Sequence, residues 1–129
     1  MNPPSKKKKS QENNKNSLGK QGEDRAVYHI EEAGLKVITR NFRSKAGEVD
    51  IVAIDGSTIV FIEVKAWSAF SIENLEYSIS KKKQQRIIET AKFFLLKHRE
   101  YSEASVRFDV LFIGIDTIKH ITAAFTESV

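Results

Sequence analysis

Val49-Asp50-Ile51-Val52-Ala53-Ile54, then Asp55-Gly56, then Thr58-Ile59-Val60-Phe61-Ile62-Glu63-Val64-Lys65 is the stretch that decides the fold. Two runs of β-branched and apolar residues flank an Asp-Gly pair, a strong short-range hairpin signal. Upstream, Leu35 to Phe42 reads as another strand, and Arg43, Ser44, Lys45, Ala46 and Gly47 form a polar break before the hairpin. From Gly22, residues Ala26, Val27, Ile30 and Ala33 fall on one helical stripe, with Gly34 placed to stop the helix at C′. Downstream the chain is irregular from Trp67 to about Tyr77. Ser80 then stands as an N-cap before Ile87, Ile88, Ala91, Phe94 and Leu95, which repeat at helical spacing as far as His98 or Arg99. Val106 to Gly114 reads as a buried strand, and a last strand lies around Lys119 to Phe125. The order helix, three strands, helix, two strands predicts an α/β fold, a three-layer sandwich whose central mixed β-sheet is flanked by helices.

The chain has 129 residues, 40% hydrophobic and 29% charged, which fits one globular domain and excludes whole-chain disorder, a collagen-like chain and a coiled coil. With no cysteine there is no disulfide framework, thiolate nucleophile or Cys-based zinc site. No apolar run approaches the roughly 18 residues of a membrane span. The net charge of +4 divides unevenly. Residues 1–20 hold six lysines against Glu12 alone, whereas the other 109 residues hold 15 basic and 16 acidic groups. Residues 1–20 have too little apolar content to fold and read as a disordered basic tail, either solvated or a non-specific phosphate-attracting arm; residues 21–129 are the folded part. The Lys6–Lys9 run is followed by Ser, Gln, Asn and Lys where a secretory signal needs an apolar stretch, so a cytoplasmic location is expected. His29, His98 and His120 share no metal-ligand spacing, and no G-x-x-x-x-G-K-[ST] loop is present, so NTP hydrolysis is not expected.

Acids inside strands that otherwise read as core are the informative exceptions, because a buried charge is costly unless paired or metal-bound. Glu63 and Lys65, two apart, leave one face of their strand while Ile62 and Val64 take the other. Asp50 lies five residues before Asp55 and Glu63 eight after it, so hairpin pairing could bring both to the same end of the sheet. Glu23 sits three, four and seven residues before Ala26, Val27 and Ile30, on the apolar stripe of the first helix. Each has a plainer reading: Glu63-Val64-Lys65 as a solvated strand face, Glu23 as a first-turn acid favoured by the helix dipole. Together, two or three carboxylates converging with a lysine form a hard-oxygen site suited to Mg²⁺ or Mn²⁺ and to phosphodiester hydrolysis.

Gly22-Glu23, Arg40-Asn41-Phe42-Arg43, Gly47-Glu48-Val49-Asp50, Phe61-Ile62-Glu63-Val64-Lys65 and Arg107-Phe108-Asp109-Val110, in that order, resemble the YraN family of small bacterial proteins. That family is similar to the PD-(D/E)xK nucleases, among them archaeal Holliday-junction resolvases, and the resemblance spans about Gly19 to Phe125. It implies a restriction-endonuclease-like fold and a divalent-metal-dependent endonuclease acting on DNA, including branched or structured DNA. It also implies that Asp50, Glu63 and the Val64 carbonyl are metal ligands, Lys65 the catalytic lysine, and Glu23 an acid reaching the metal through a water. Glu48, two before Asp50, is a candidate for a second metal or an outer shell, or a solvent-exposed strand start. The chain departs from the family after the lysine: Ala66-Trp67 stands where a Thr-Arg pair is usual, which puts a substrate contact in doubt.

Arg40 and Arg43 are candidate phosphate contacts or ordinary surface arginines. Trp67 is a candidate to stack on an unpaired base, or a core tryptophan. Lys81, Lys82, Lys83 and Arg86 open the second helix, where basic groups oppose the helix dipole; contact with a nucleic-acid backbone would explain that cost, and a solvated face is the alternative. Arg107 and Asp109 read as a salt bridge between their strand and its neighbours. The alternative to an enzyme is a non-catalytic nucleic-acid-binding module with the same fold, or an interaction protein indifferent to nucleic acid. A homodimer is expected only from the likeness to resolvases, which cut two strands, since no self-complementary face is marked.

Overall fold

A computed structural model describes residues 21–66 and 79–127. The expected tail over 1–20, the irregular segment after Ala66 and Trp67 itself lie outside the described residues. Helix α1 covers residues 21–32. It closes as expected at Gly34: the Gly34 N–H donates to Glu31 O and the Leu35 N–H to Ile30 O, the paired bonds of a Schellman stop.

Strands β1 (Lys36–Arg43), β2 (Glu48–Asp55) and β3 (Thr58–Ala66) form an antiparallel meander. Asp55 pairs with Thr58, so the β2–β3 loop is Gly56-Ser57 rather than Asp55-Gly56. Gly56 has φ 63°, and a glycine with positive φ at the first loop position suits the twist of the strands it joins. Helix α2 (Lys81–Lys97) follows, with Ser80 as its N-cap: the Ser80 side chain accepts the Lys83 N–H. A short 3-10 turn (Arg99–Tyr101) leads to β4 (Ser105–Ile113), and β5 (Ile118–Phe125) completes the sheet.

The five strands lie in sequence order, and β3–β4 is the parallel pair in an otherwise antiparallel sheet. A parallel neighbour needs a long crossover, which α2 supplies. Alternation along the strands divides the core in two. On one face Ala26 and Ile30 of α1 pack on Ile51, Ala53, Val60, Ile62 and Leu111. On the other, Ile87, Ile88, Ala91 and Phe94 of α2 pack on Val52, Ile59, Phe61 and Phe108. Burying a side chain of this size stabilises by about 1.5–3 kcal/mol, so the central hairpin, apolar on both faces, is the main anchor. The result is the expected three-layer α/β sandwich with a mixed sheet, an arrangement consistent with a restriction-endonuclease-like fold. Among the described residues no helix is long and apolar enough to cross a membrane.

Candidate active site

The β2–β3 ladder runs from Asp55 opposite Thr58 to Ile51 opposite Ile62, which leaves Asp50 and Glu63 facing each other just past its end. Strict alternation fails at this point. Val49 belongs to the α2 core and Ile51 to the α1 core although they are two residues apart. Across from Asp50, between the pairs Arg40–Ile51 and Phe42–Val49, Asn41 has a left-handed φ of 54°. Asparagine tolerates that region better than most side chains. The Asp50 carboxylate therefore bends over the end of β3, where its Oδ2 accepts the Val64 N–H at 2.8 Å.

Glu63 is almost fully buried on the α2 side of β3. Burial, the negative charge of Glu63, a hydrogen bond between the two carboxyl groups and the charge of Glu23 push Asp50 up to about 8; the Val64 N–H works against that rise. Two acids crowded this way cannot both ionise cheaply near neutral pH without a cation. A hard dication such as Mg²⁺ is held by one or two carboxylates and keeps its other positions for water and substrate oxygens, so this donor pair fits one. Among the described residues no set of three His, Asp or Glu side chains is close enough to cage a metal.

Glu23 stands at the rim of the same site. Its Oε1 accepts from Asn41 Nδ2 at 3.1 Å and lies 3.6 Å from Arg40 Nη2, while Arg40 bonds Asp24 at 2.7 Å. The helix-borne acid thus lies towards the hairpin end, as its place on the stripe predicts, but it is tied to β1. Arg40, expected as a candidate phosphate contact, is engaged with two α1 carboxylates. Arg43 is exposed, and its Nε lies 3.7 Å from Oε1 of Glu48, the candidate for a second metal or an outer shell.

The lysines are redistributed relative to the sequence reading. Lys65 is half-buried on β3, and among the described residues it makes no ion pair. Lys83, expected to act with its neighbours in a solvent-facing cluster, places its Nζ 2.7 Å from Glu63 Oε2 and is close enough to feel the charge of Asp50. Residues Lys81, Lys82 and Arg86 remain exposed around it. The β1–β2 turn packs beside them. Ser44 and Thr90 share a 2.9 Å hydrogen bond, and a side chain at Gly47 would bring its Cβ within 3.3 Å of Arg86 Cβ. Arg43, Lys45, Arg86, Lys81 and Lys82 therefore border one end of the sheet, the end that holds the acids.

A second charged cluster was legible as a salt bridge but not in full. Fully buried Asp109 accepts from Arg107 Nε at 2.9 Å and Nη2 at 3.0 Å, from the Ala123 N–H at 2.9 Å, and sits 2.7 Å from His120 Nε2. Arg107 also reaches Asp55 at 3.1 Å. Burial alone would push Asp109 up, but the bonds from His120, Arg107 and Ala123 outweigh it and hold the carboxyl below its ordinary value. His120 is thus a partly buried structural partner. The positive φ of Ala123, 50°, which aims its N–H at Asp109, has no sequence signal.

The α/β sandwich, with an acid pair at the open end of its central hairpin, is consistent with the restriction-endonuclease-like class of fold. The family described as uncharacterised protein family UPF0102 matches residues 22–113, and the chain belongs to that family, the YraN group its motifs resemble. It is similar to a UPF0102 protein of Persephonella marina, 45% identical over 107 residues covering 83% of this chain and 91% of the relative. It is also similar to one of Geobacter metallireducens, 41% identical over 113 residues covering 84% and 92%. A third, of Treponema pallidum, is 40% identical over 119 residues covering 87% and 94%.

Proposed function

We propose that the chain is a Mg²⁺- or Mn²⁺-dependent endonuclease that hydrolyses DNA phosphodiesters, with branched or structured DNA as the favoured substrate. The observation that carries this reading is the pair Asp50 and Glu63, crowded at the end of the β2–β3 ladder with Asp50 pushed up to about 8. Asp50, Glu63 and the Val64 carbonyl would hold the metal, and Glu23, carried to the rim by α1, would reach it through a water. When bound, the metal supplies Lewis-acid activation and charge stabilisation at the scissile phosphate. Lys65, on the face of β3 that carries Glu63, offsets negative charge building on the phosphorane or orients the attacking water. Arg43, Lys81, Lys82 and Arg86 bind the flanking backbone phosphates, a sequence-independent attraction that falls steeply with salt. Trp67, two residues beyond Lys65, is proposed to stack on an exposed base.

The reading is tested by incubating the full chain with supercoiled, single-stranded and four-way-junction DNA in Mg²⁺ or Mn²⁺. Cleavage is expected in the wild type and absent in Asp50→Ala and Glu63→Ala; cleavage that survives both substitutions would sink the assignment. A second reading, a non-catalytic DNA-binding module, draws support from the Lys83–Glu63 ion pair, which already gives the acid pair a cation. It expects salt-sensitive DNA binding, no cleavage and no rise in melting temperature with Mn²⁺.

A further inference from the structure

The sequence offers Lys65 as the ammonium of the site, but the side chain that meets the acids is Lys83, in the first turn of α2, with Nζ 2.7 Å from Glu63 Oε2. The two partners differ sharply in exposure. The Glu63 side chain is 6% exposed and that of Lys83 45%, so the carboxylate is fixed in the protein while the ammonium reaches it from the solvent side. The Lys83 backbone is pinned, because its N–H donates to Ser80 Oγ at 3.1 Å. Its four-carbon stem is the mobile part.

Nothing in helix stability asks for this arrangement. The first turn of α2 contains no acidic residue and begins with three lysines, against the direction of the helix dipole. What the arrangement does is bring a single positive charge to Glu63 and within the field of Asp50, the place a cation shared by the two acids would occupy. A dication brings twice that charge to the same carboxylates. An ammonium and a dication a few ångströms apart repel each other, so the two do not share this position comfortably.

We propose that Lys83 is the tethered, displaceable counter-ion of the acid pair: it occupies Glu63 in the metal-free chain, leaves when a divalent cation binds, and then contacts a backbone phosphate of the bound DNA. This rests on the metal-dependent reading of the site, and it adds a functional lysine that the E-x-K motif does not contain. Bound metal and freed lysine then act on one substrate. The exchange also keeps Lys83 from DNA until the metal has arrived.

Mn²⁺ binding by the full chain, followed calorimetrically without DNA, reads the first half. Lys83→Met is expected to bind Mn²⁺ about tenfold more tightly than wild type, since the competitor is gone. Lys83→Arg, which keeps the charge, is expected near wild type, and Arg86→Met, which removes a neighbouring charge not bonded to Glu63, to shift affinity far less. Equal Mn²⁺ affinity in wild type and Lys83→Met, or an equal gain in Arg86→Met, overturns the proposal and leaves the metal site standing. Absence of Mn²⁺ binding in every variant overturns the metal-dependent reading itself. Binding of a labelled four-way junction, with and without Ca²⁺ as a non-cleaving stand-in, reads the second half. Lys83→Met is expected to weaken binding about three- to tenfold with Ca²⁺ and little without it. A loss of the same size in both conditions shows a lysine already free for DNA and overturns the exchange.

Discussion

Asp50 and Asp109 are both aspartates at the heart of the same sheet, and the protein treats them in opposite ways. Asp109 on β4 is fully buried and surrounded by donors: two nitrogens of Arg107, the His120 ring and the Ala123 N–H. Its charge is answered inside the fold, and the carboxyl is held below its ordinary value. Asp50 on β2 has one backbone donor and faces another acid, with a third nearby, and is pushed up to about 8. A carboxylate kept for structure is supplied with partners by its own chain. One crowded by further carboxylates is left under-compensated by its own chain, which here brings one exposed lysine, Lys83, to the neighbouring Glu63.

The largest expected effect comes from breaking the satisfied cluster. Asp109→Ala leaves Arg107 and His120 without their shared acceptor, and removing one partner of a buried pair costs about 3–5 kcal/mol. Urea denaturation of the full chain should show that loss. Asp50→Asn should cost nothing of the kind in metal-free buffer, because it relieves repulsion; a comparable loss there would erase the contrast.

Next comes the dication. For the wild type, Mn²⁺ at about 100 times its dissociation constant should add about 2.7 kcal/mol of stability, visible as a rise in melting temperature. Asp50→Asn and Glu63→Gln should abolish that rise, and a variant at Asp109 mild enough to fold, Asp109→Asn, should keep it. Persistence of the rise in Asp50→Asn would move the metal away from the β2–β3 end.

The hairpin, the Ser80 cap, the Gly34 stop and the two core faces were all legible, because each follows from local residue chemistry or from alternation within a segment. That Asp50 and Glu63 come to one end of the sheet was legible from the hairpin, but their facing register was not, because the loop is Gly56-Ser57 and not the Asp55-Gly56 that the sequence suggests. Lys83 reads in the sequence as one of a uniform basic cluster because its contact with Glu63 depends on how α2 crosses back over β3. The left-handed Asn41, which holds Glu23 at the rim, and the switch of face between Val49 and Ile51 are departures from regular strand geometry. A pattern of residue types assumes regular geometry, so it misses them at the end of the sheet that holds the acids. His120 and Ala123 meet Asp109 through the β4–β5 register, which no turn signal fixes.

A smaller effect is the dependence of stability on pH, where the two aspartates should act over different windows. Asp50 takes up its proton more readily folded than unfolded. Between about pH 4 and 8 the native state therefore holds a proton that the unfolded chain has lost, so stability falls as pH rises across that window. Asp50→Asn should remove this decline and be more stable than wild type at about pH 9 without metal. Asp109 is held below its ordinary value, so its contribution is present above about pH 4 and is lost as pH falls further. Metal-free melting curves from about pH 3 to pH 9 separate the two limbs, and a flat wild-type profile above about pH 5 would remove the grounds for calling Asp50 frustrated.

The smallest effect on stability, and the sharpest on recognition, concerns the arginines and lysines around each aspartate. Lys81, Lys82 and Arg86 are exposed at the end that carries Asp50, whereas Arg107 is turned inward onto Asp55 and Asp109. For duplex DNA, removing one basic group that neutralises a phosphate should lower the slope of log affinity against log salt by about 0.9. Replacing Lys81, Lys82 and Arg86 with Gln should therefore reduce the slope by nearly three times that amount. It should leave folding unharmed or gain a few tenths of a kcal/mol, since these charges oppose the helix dipole. Arg107→Gln should do the reverse, leaving the slope unchanged and destabilising the fold. If Arg107→Gln flattened the salt dependence as much as the α2 substitutions do, DNA would approach the β4–β5 side as well, and the acid pair would lose its proposed place at the centre of a binding surface.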